Sequence, residues 1–137
     1  EKSFGIWNAE FTQGYTPGET GMDRWIAWDK PQFIGRAAAM AERDGNGPAR
    51  KLVTLEIDAA DADASGFEPI WADGQKVGFV TSGGYGHTVD KSLAMALIDP
   101  DFSGEGTDLS VHVVGVERPA KVIANSPYDP KGAVMRA

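Results

Sequence analysis

Ser82 and His87 stand five residues apart in Thr81-Ser82-Gly83-Gly84-Tyr85-Gly86-His87-Thr88, a pairing that could support a nucleophile and its base. Such a pair also needs an orienting carboxylate and a strained nucleophile turn, and the chain contains no Gly-x-Ser-x-Gly. A glycine-rich turn in which His87 hydrogen-bonds backbone is therefore the expected arrangement. The same glycines could cradle a phosphate, but neither a following helix nor the Lys-Ser/Thr of a phosphate loop is present. Asp61-Ala62-Asp63-Ala64-Ser65-Gly66 opens like a calcium-binding loop, with oxygen ligands at its first, third and fifth positions. Its twelfth position is Ala72 where a bidentate carboxylate is required, so a solvated acidic loop is expected. His112 alternates with Val111 and Val113 and should point outward from a strand; two separated histidines make no zinc set. The absence of cysteine removes disulfides, thiolate metal sites and a thiol nucleophile together.

Aromatic residues are the more suggestive group. Trp7, Trp25 and Trp28, three of the four tryptophans, fall in the first 28 residues with Phe4, Phe11 and Tyr15. Aromatics in irregular structure can form a stacking platform for a flat heterocycle, or they can pack between two domains. Trp71, by contrast, lies in a strand-like run and should serve packing.

These residues must be placed by the elements around them. Residues 1–28 fit neither the helical nor the strand period and read as a structured loop. Pro31 after Asp29-Lys30, with Phe33, Ala37, Met40 and Ala41 on one face, predicts an amphipathic helix over about 31–43, stopped by Gly45-Asn46-Gly47-Pro48. From there the pattern turns to β. Val53, Leu55 and Ile57 alternate with Thr54, Glu56 and Asp58. Asp73-Gly74 sits between two strand-like runs over 70–81, a hairpin signal. Ser92 to Ile98 reads as a strand covered on both faces, and Leu109–Val116 with Ala120–Ala124 as a last pair broken near Glu117-Arg118-Pro119. The fold class is thus mainly β: a small antiparallel barrel over 48–137 with an irregular tail from Ser126, preceded by an irregular segment and one helix that belong, over 1–47, to a neighbouring domain.

Composition bounds the function. The 137 residues suffice for one domain, or one domain and part of another. A net charge of −7 argues against nucleic acid as a partner, since phosphate contacts need clustered Lys and Arg. No run approaches the roughly 18 apolar residues of a membrane span. A reducing, soluble compartment fits: the cytoplasm, or the mitochondrial matrix for a eukaryotic source. The abrupt start, Glu1-Lys2-Ser3-Phe4 without an initiator Met, is that expected of a piece of a longer polypeptide.

Six ordered motifs then add up to a resemblance. Glu1-Lys2-Ser3-Phe4, Tyr15-Thr16-Pro17-Gly18-Glu19-Thr20-Gly21-Met22 and Asp29-Lys30-Pro31-Gln32-Phe33-Ile34-Gly35-Arg36 come first. Gly78 through Thr88, Lys91-Ser92-Leu93-Ala94 and Tyr128-Asp129-Pro130 follow. Together they resemble the C-terminal part of the glycine-cleavage T-protein (aminomethyltransferase) family, in the variant that forms the folate-binding half of dimethylglycine and sarcosine dehydrogenases. Asp90 departs from the pattern, at a position where such relatives usually have glycine. The resemblance implies a C-terminal β-barrel and a parent that binds tetrahydrofolate, the carrier capturing a one-carbon unit released when an N-methyl amine is oxidised at a flavin. FAD is expected in a separate upstream domain, and the family's catalytic aspartate lies upstream of Glu1. The isolated chain is therefore expected neither to oxidise an amine nor to hold flavin. The resemblance further implies that Trp7 falls beside the pterin and that Glu19 matches a family glutamate; both are candidate cofactor contacts. Alternatives are part of a free-standing aminomethyltransferase, part of another tetrahydrofolate-dependent demethylase, or a non-catalytic barrel that docks on another chain. The partners implied are the remainder of the parent polypeptide and the folate carrier.

Overall fold

The computed structural model describes residues 1–137. Its centre is a closed antiparallel barrel of β1 (Lys51–Ile57), β2 (Pro69–Ala72), β3 (Gln75–Gly86), β4 (Lys91–Ile98), β5 (Asp108–Val113) and β6 (Val116–Ile123). The strands run in the order β1-β4-β3-β2-β5-β6, and β6 returns to β1 to close the ring. Alternation decides which side chains enter it: Val53, Leu55 and Ile57 of β1 join Val80, Ala96, Val111 and Val122 in one buried cluster. Small alanines on β4 opposite branched residues let so narrow a barrel fill its interior with side chains. The expectation of a small barrel is met.

One strand departs from regular alternation in a way that matters later. Val80 pairs with Ala96, but the next pair is Ser82 with Met95, so β3 advances two residues while β4 advances one. Thr81 is the extra residue of this β-bulge, and its hydroxyl is tied to the Met95 carbonyl at 3.0 Å. Val80 faces the interior; beyond the bulge Ser82 shares the outer face with Met95.

Several expectations need correction. The helix, α1, runs Arg36–Asp44 instead of 31–43, because Gly35 takes φ 85° and cannot continue a right-handed helix backwards. None of its residues is buried. The Gly83–Gly86 stretch is no turn; it completes β3, and the turn is His87-Thr88-Val89-Asp90. Glu117-Arg118-Pro119 does not break the last pair but lies inside β6, the reversal falling at Val114-Gly115. Pro119 sits one step past the last β1–β6 pair, Ile57 with Ala120, where its carbonyl still accepts from Asp58 and no ladder N–H is required. Asp90 has φ 57°, a backbone that glycine adopts freely and aspartate tolerates, which accounts for its place in this turn. The tail from Ser126 is irregular except for a short 3-10 turn at Val134–Arg136. No helix is long and apolar enough to cross a membrane.

Candidate functional site

Residues 1–21 lie along the outer face of the barrel and are fastened there by side chains. Thr54 projects outward from β1, is buried, and donates to Ser3 Oγ at 2.8 Å. Ser82 donates to Glu10 Oε1 at 2.7 Å. Arg50 Nε donates to Glu19 Oε1 at 2.9 Å, and the Glu19 carbonyl accepts from Leu52 N at 2.8 Å. At the far end Lys2 reaches Asp129 Oδ2 at 3.2 Å, joining the first residues to the tail. Burial alone would oppose the charge on Asp129, but hydrogen bonds from Lys2 and from the Val134 and Ala133 N–H groups outweigh it and hold its carboxyl below the usual range.

The two expected contacts fall on opposite sides of one turn. Trp7 is 80% exposed. With Asn8, Phe11, Gln13, Tyr15 and Met22 it lines an open cleft of about 490 Å³. Glu19 is 4% exposed and faces a different, more apolar groove of about 650 Å³, between the turn and α1, with Ile26, Trp28, Phe33 and Leu52. Both Glu19 oxygens are engaged by the protein, Oε2 accepting from Thr16 N at 2.9 Å and Oε1 from Arg50. Trp7 and Glu19 thus share no cleft. Of the remaining N-terminal aromatics, Trp28 lies under the Arg43 guanidinium of α1, 4.5 Å from ring centre, while Trp25 is 73% exposed.

The other chemical groups weighed in the sequence stay apart. Ser82 spends its hydroxyl on Glu10, and His87 is exposed, its ring edge-on to Tyr85 at 5.1 Å instead of bonded to backbone. Tyr85 donates to Asp90, which pushes the phenol pKa up. In the acidic loop Asp61 pairs with Arg118 and Asp63 accepts from Ser92, and no group of three metal-ligating side chains forms. Glu10 was invisible to sequence reasoning: a lone glutamate in an aperiodic segment carries no pattern that would announce its complete burial.

The class the fold defines is a closed six-stranded antiparallel barrel with an N-terminal strap fastened to its outer face. Residues 50–129 match the glycine cleavage T-protein C-terminal barrel domain, and the chain belongs to that family. It is 36% identical over 124 residues to human mitochondrial dimethylglycine dehydrogenase, covering 90% of this chain and 14% of that protein. With the aminomethyltransferase of Thermosynechococcus vestitus it shares 37% identity over 123 residues, 90% of this chain and 33% of that one. The fold matches the crystal structure of glycine cleavage system aminomethyltransferase T from Bartonella henselae, with a TM-score of 0.81 at 24% identity, over 90% of this chain and 35% of that one. The chain therefore spans about a third of the aminomethyltransferases and a seventh of the dimethylglycine dehydrogenase.

Proposed function

We propose that the chain is the C-terminal part of a tetrahydrofolate-dependent, flavin-linked N-methyl amine dehydrogenase of the dimethylglycine or sarcosine type, serving its one-carbon-transfer half. The observation that carries this reading is Trp7, an indole this chain leaves uncovered on a turn that Glu10 fastens to Ser82 of the barrel. A pterin is flat and hydrogen-bonding, and the Trp7 cleft supplies an aromatic wall together with the amides of Asn8 and Gln13. On this reading the chain supplies one wall of a folate site, and the remainder of the polypeptide supplies the rest. Glu19 contributes by holding the 16–19 turn that forms the neighbouring wall. Flavin does not fit here: Gly83-Gly84-Tyr85-Gly86 lie in a strand that turns back into β4, with no helix N-terminus to receive a pyrophosphate. FAD belongs in a separate domain of the parent. Phe4, Trp25 and Ile34, also exposed, are apolar surface for that remainder to cover.

Similarity to stand-alone aminomethyltransferases sustains a second reading, in which no flavin domain exists. The visible absorbance of the purified intact parent separates the two. A flavin spectrum supports the dehydrogenase, and a colourless parent that still binds tetrahydrofolate leaves the transferase. The folate site itself is tested by titrating tetrahydrofolate into the intact parent and into its Trp7→Ala form; equal affinities would remove Trp7 from the site.

A further inference from the structure

Two glutamates of this chain are buried, Glu10 and Glu19, and of the two only Glu19 is matched by a cation. A buried carboxylate without a counter-charge is costly unless hydrogen bonds hold it, and the two partners of Glu10 are therefore informative. Its Oε2 accepts the Ile6 N–H at 2.7 Å and its Oε1 accepts the Ser82 hydroxyl at 2.7 Å. The Ile6 carbonyl in turn accepts from the N–H groups of Ala9, Glu10 and Phe11 at 3.1–3.2 Å. Both polar backbone groups of the residue preceding Trp7 are thus used up in one closed turn. Gly5 lets it close so tightly, since a Cβ there would lie 2.9 Å from Glu10 Cβ and 2.7 Å from the Phe11 ring. The Ser82 end of the tie exists because the Thr81 bulge turns Ser82 outward.

We infer that Glu10, held by Ser82, is a positioning residue for Trp7: it carries the rigidity of the barrel into the turn that presents the indole, so that the stacking face is set before a ligand arrives. The inference rests on Trp7 being a tetrahydrofolate contact. Glutamine can replace Glu10 without loss of the tie, its carbonyl accepting from Ile6 and its amide donating to the Ser82 oxygen. Alanine cannot.

The test uses the intact parent labelled with 5-fluorotryptophan, the Trp7 and Trp71 resonances being assigned from Trp7→Phe and Trp71→Phe forms. In ligand-free protein, Glu10→Ala and Ser82→Ala should shift or broaden the Trp7 fluorine resonance while that of Trp71, on the barrel, stays in place. Both should weaken tetrahydrofolate binding about tenfold, the usual scale for losing a hydrogen bond to a charged group. Glu10→Gln should restore resonance and affinity together. A Trp7 resonance indifferent to Glu10→Ala and Ser82→Ala overturns the inference, as does a moved resonance with unchanged affinity where Trp7→Ala itself loses affinity. If Trp7→Ala binds tetrahydrofolate like the parent, the folate reading falls instead, and the resonance data separately decide whether Glu10 holds the turn.

Discussion

Replacing Trp7 and Trp71 by alanine should give opposite phenotypes in the intact parent. The Trp7 ring packs on little of this chain, so Trp7→Ala should lower the melting temperature less than Trp71→Ala does, while weakening tetrahydrofolate binding by about 1–3 kcal/mol, roughly five- to hundredfold, by analogy with base–aromatic stacking. Trp71 is on the outer face of β2, half-buried against His112 at 5.6 Å, with its Nε1 buried and unpartnered. Trp71→Ala should cost about 1–2 kcal/mol of stability, less than the roughly 3–5 typical of a fully enclosed tryptophan, and spare folate affinity. Calorimetry and a binding titration on both variants check the split. At this scale the sequence was partly legible. Residue type and an aperiodic setting drew attention to Trp7, Trp25 and Trp28 alike, and only the family resemblance singled out Trp7; nothing local marked Glu10, or Ser82 as its partner, because their roles arise from a contact across 72 positions created by one extra residue in a strand.

Strand packing offers its own contrast, between two glycines of β3. A Cβ at Gly78 would lie 2.4 Å from the Leu97 carbonyl oxygen and 2.8 Å from Ile98 Cα, backbone atoms that cannot step aside. Gly78→Ala should therefore destabilise the barrel by about 3 kcal/mol, at the upper end of ordinary overpacking. At Gly84 nothing lies within 4 Å, and Gly84→Ala should be neutral within about 0.5 kcal/mol. Urea midpoints of the two variants give the comparison; equal midpoints would refute the packing argument. Elements whose pattern is set mainly by burial on one face, such as β1 and β5, were readable from alternation. The start of α1 was not, because the pattern through Phe33 ignores the left-handed backbone of Gly35. Nor was β6 through Pro119, since the harmlessness of that proline depends on where its neighbour β1 ends. Register against a partner strand is not written in the strand itself.

Across the whole molecule, the first and last segments are clasped by Lys2 on Asp129, Tyr128 N on the Glu1 carbonyl and Ser126 N on Ser3 Oγ. The folded pKa of Asp129 lies below its ordinary 3.8, so the clasp is fully stabilising above that value and is lost as pH falls through the lower folded one. The melting-temperature gap between the parent chain and Lys2→Met should accordingly stay level from neutral pH down to 3.8 and close below it. At the other extreme, the hydrogen bond and charge of Glu56 raise the Lys91 pKa above 10.5, so its contribution is present below that value and fades as pH climbs through the folded one. The ring closure described above also sets an order of events. Residues 54 to 57 of β1 pair with residues 120 to 123 of β6, so the first strand made must wait for the last before the cylinder can shut. A chain emerging from the ribosome can pair β1 with β4 and β3 with β2, but not complete the barrel until nearly all of the family-matched segment is out. Folding should therefore be slow relative to a helical domain of this size, and stalled chains ending before Val116 should remain protease-sensitive however much of β1 to β5 they contain.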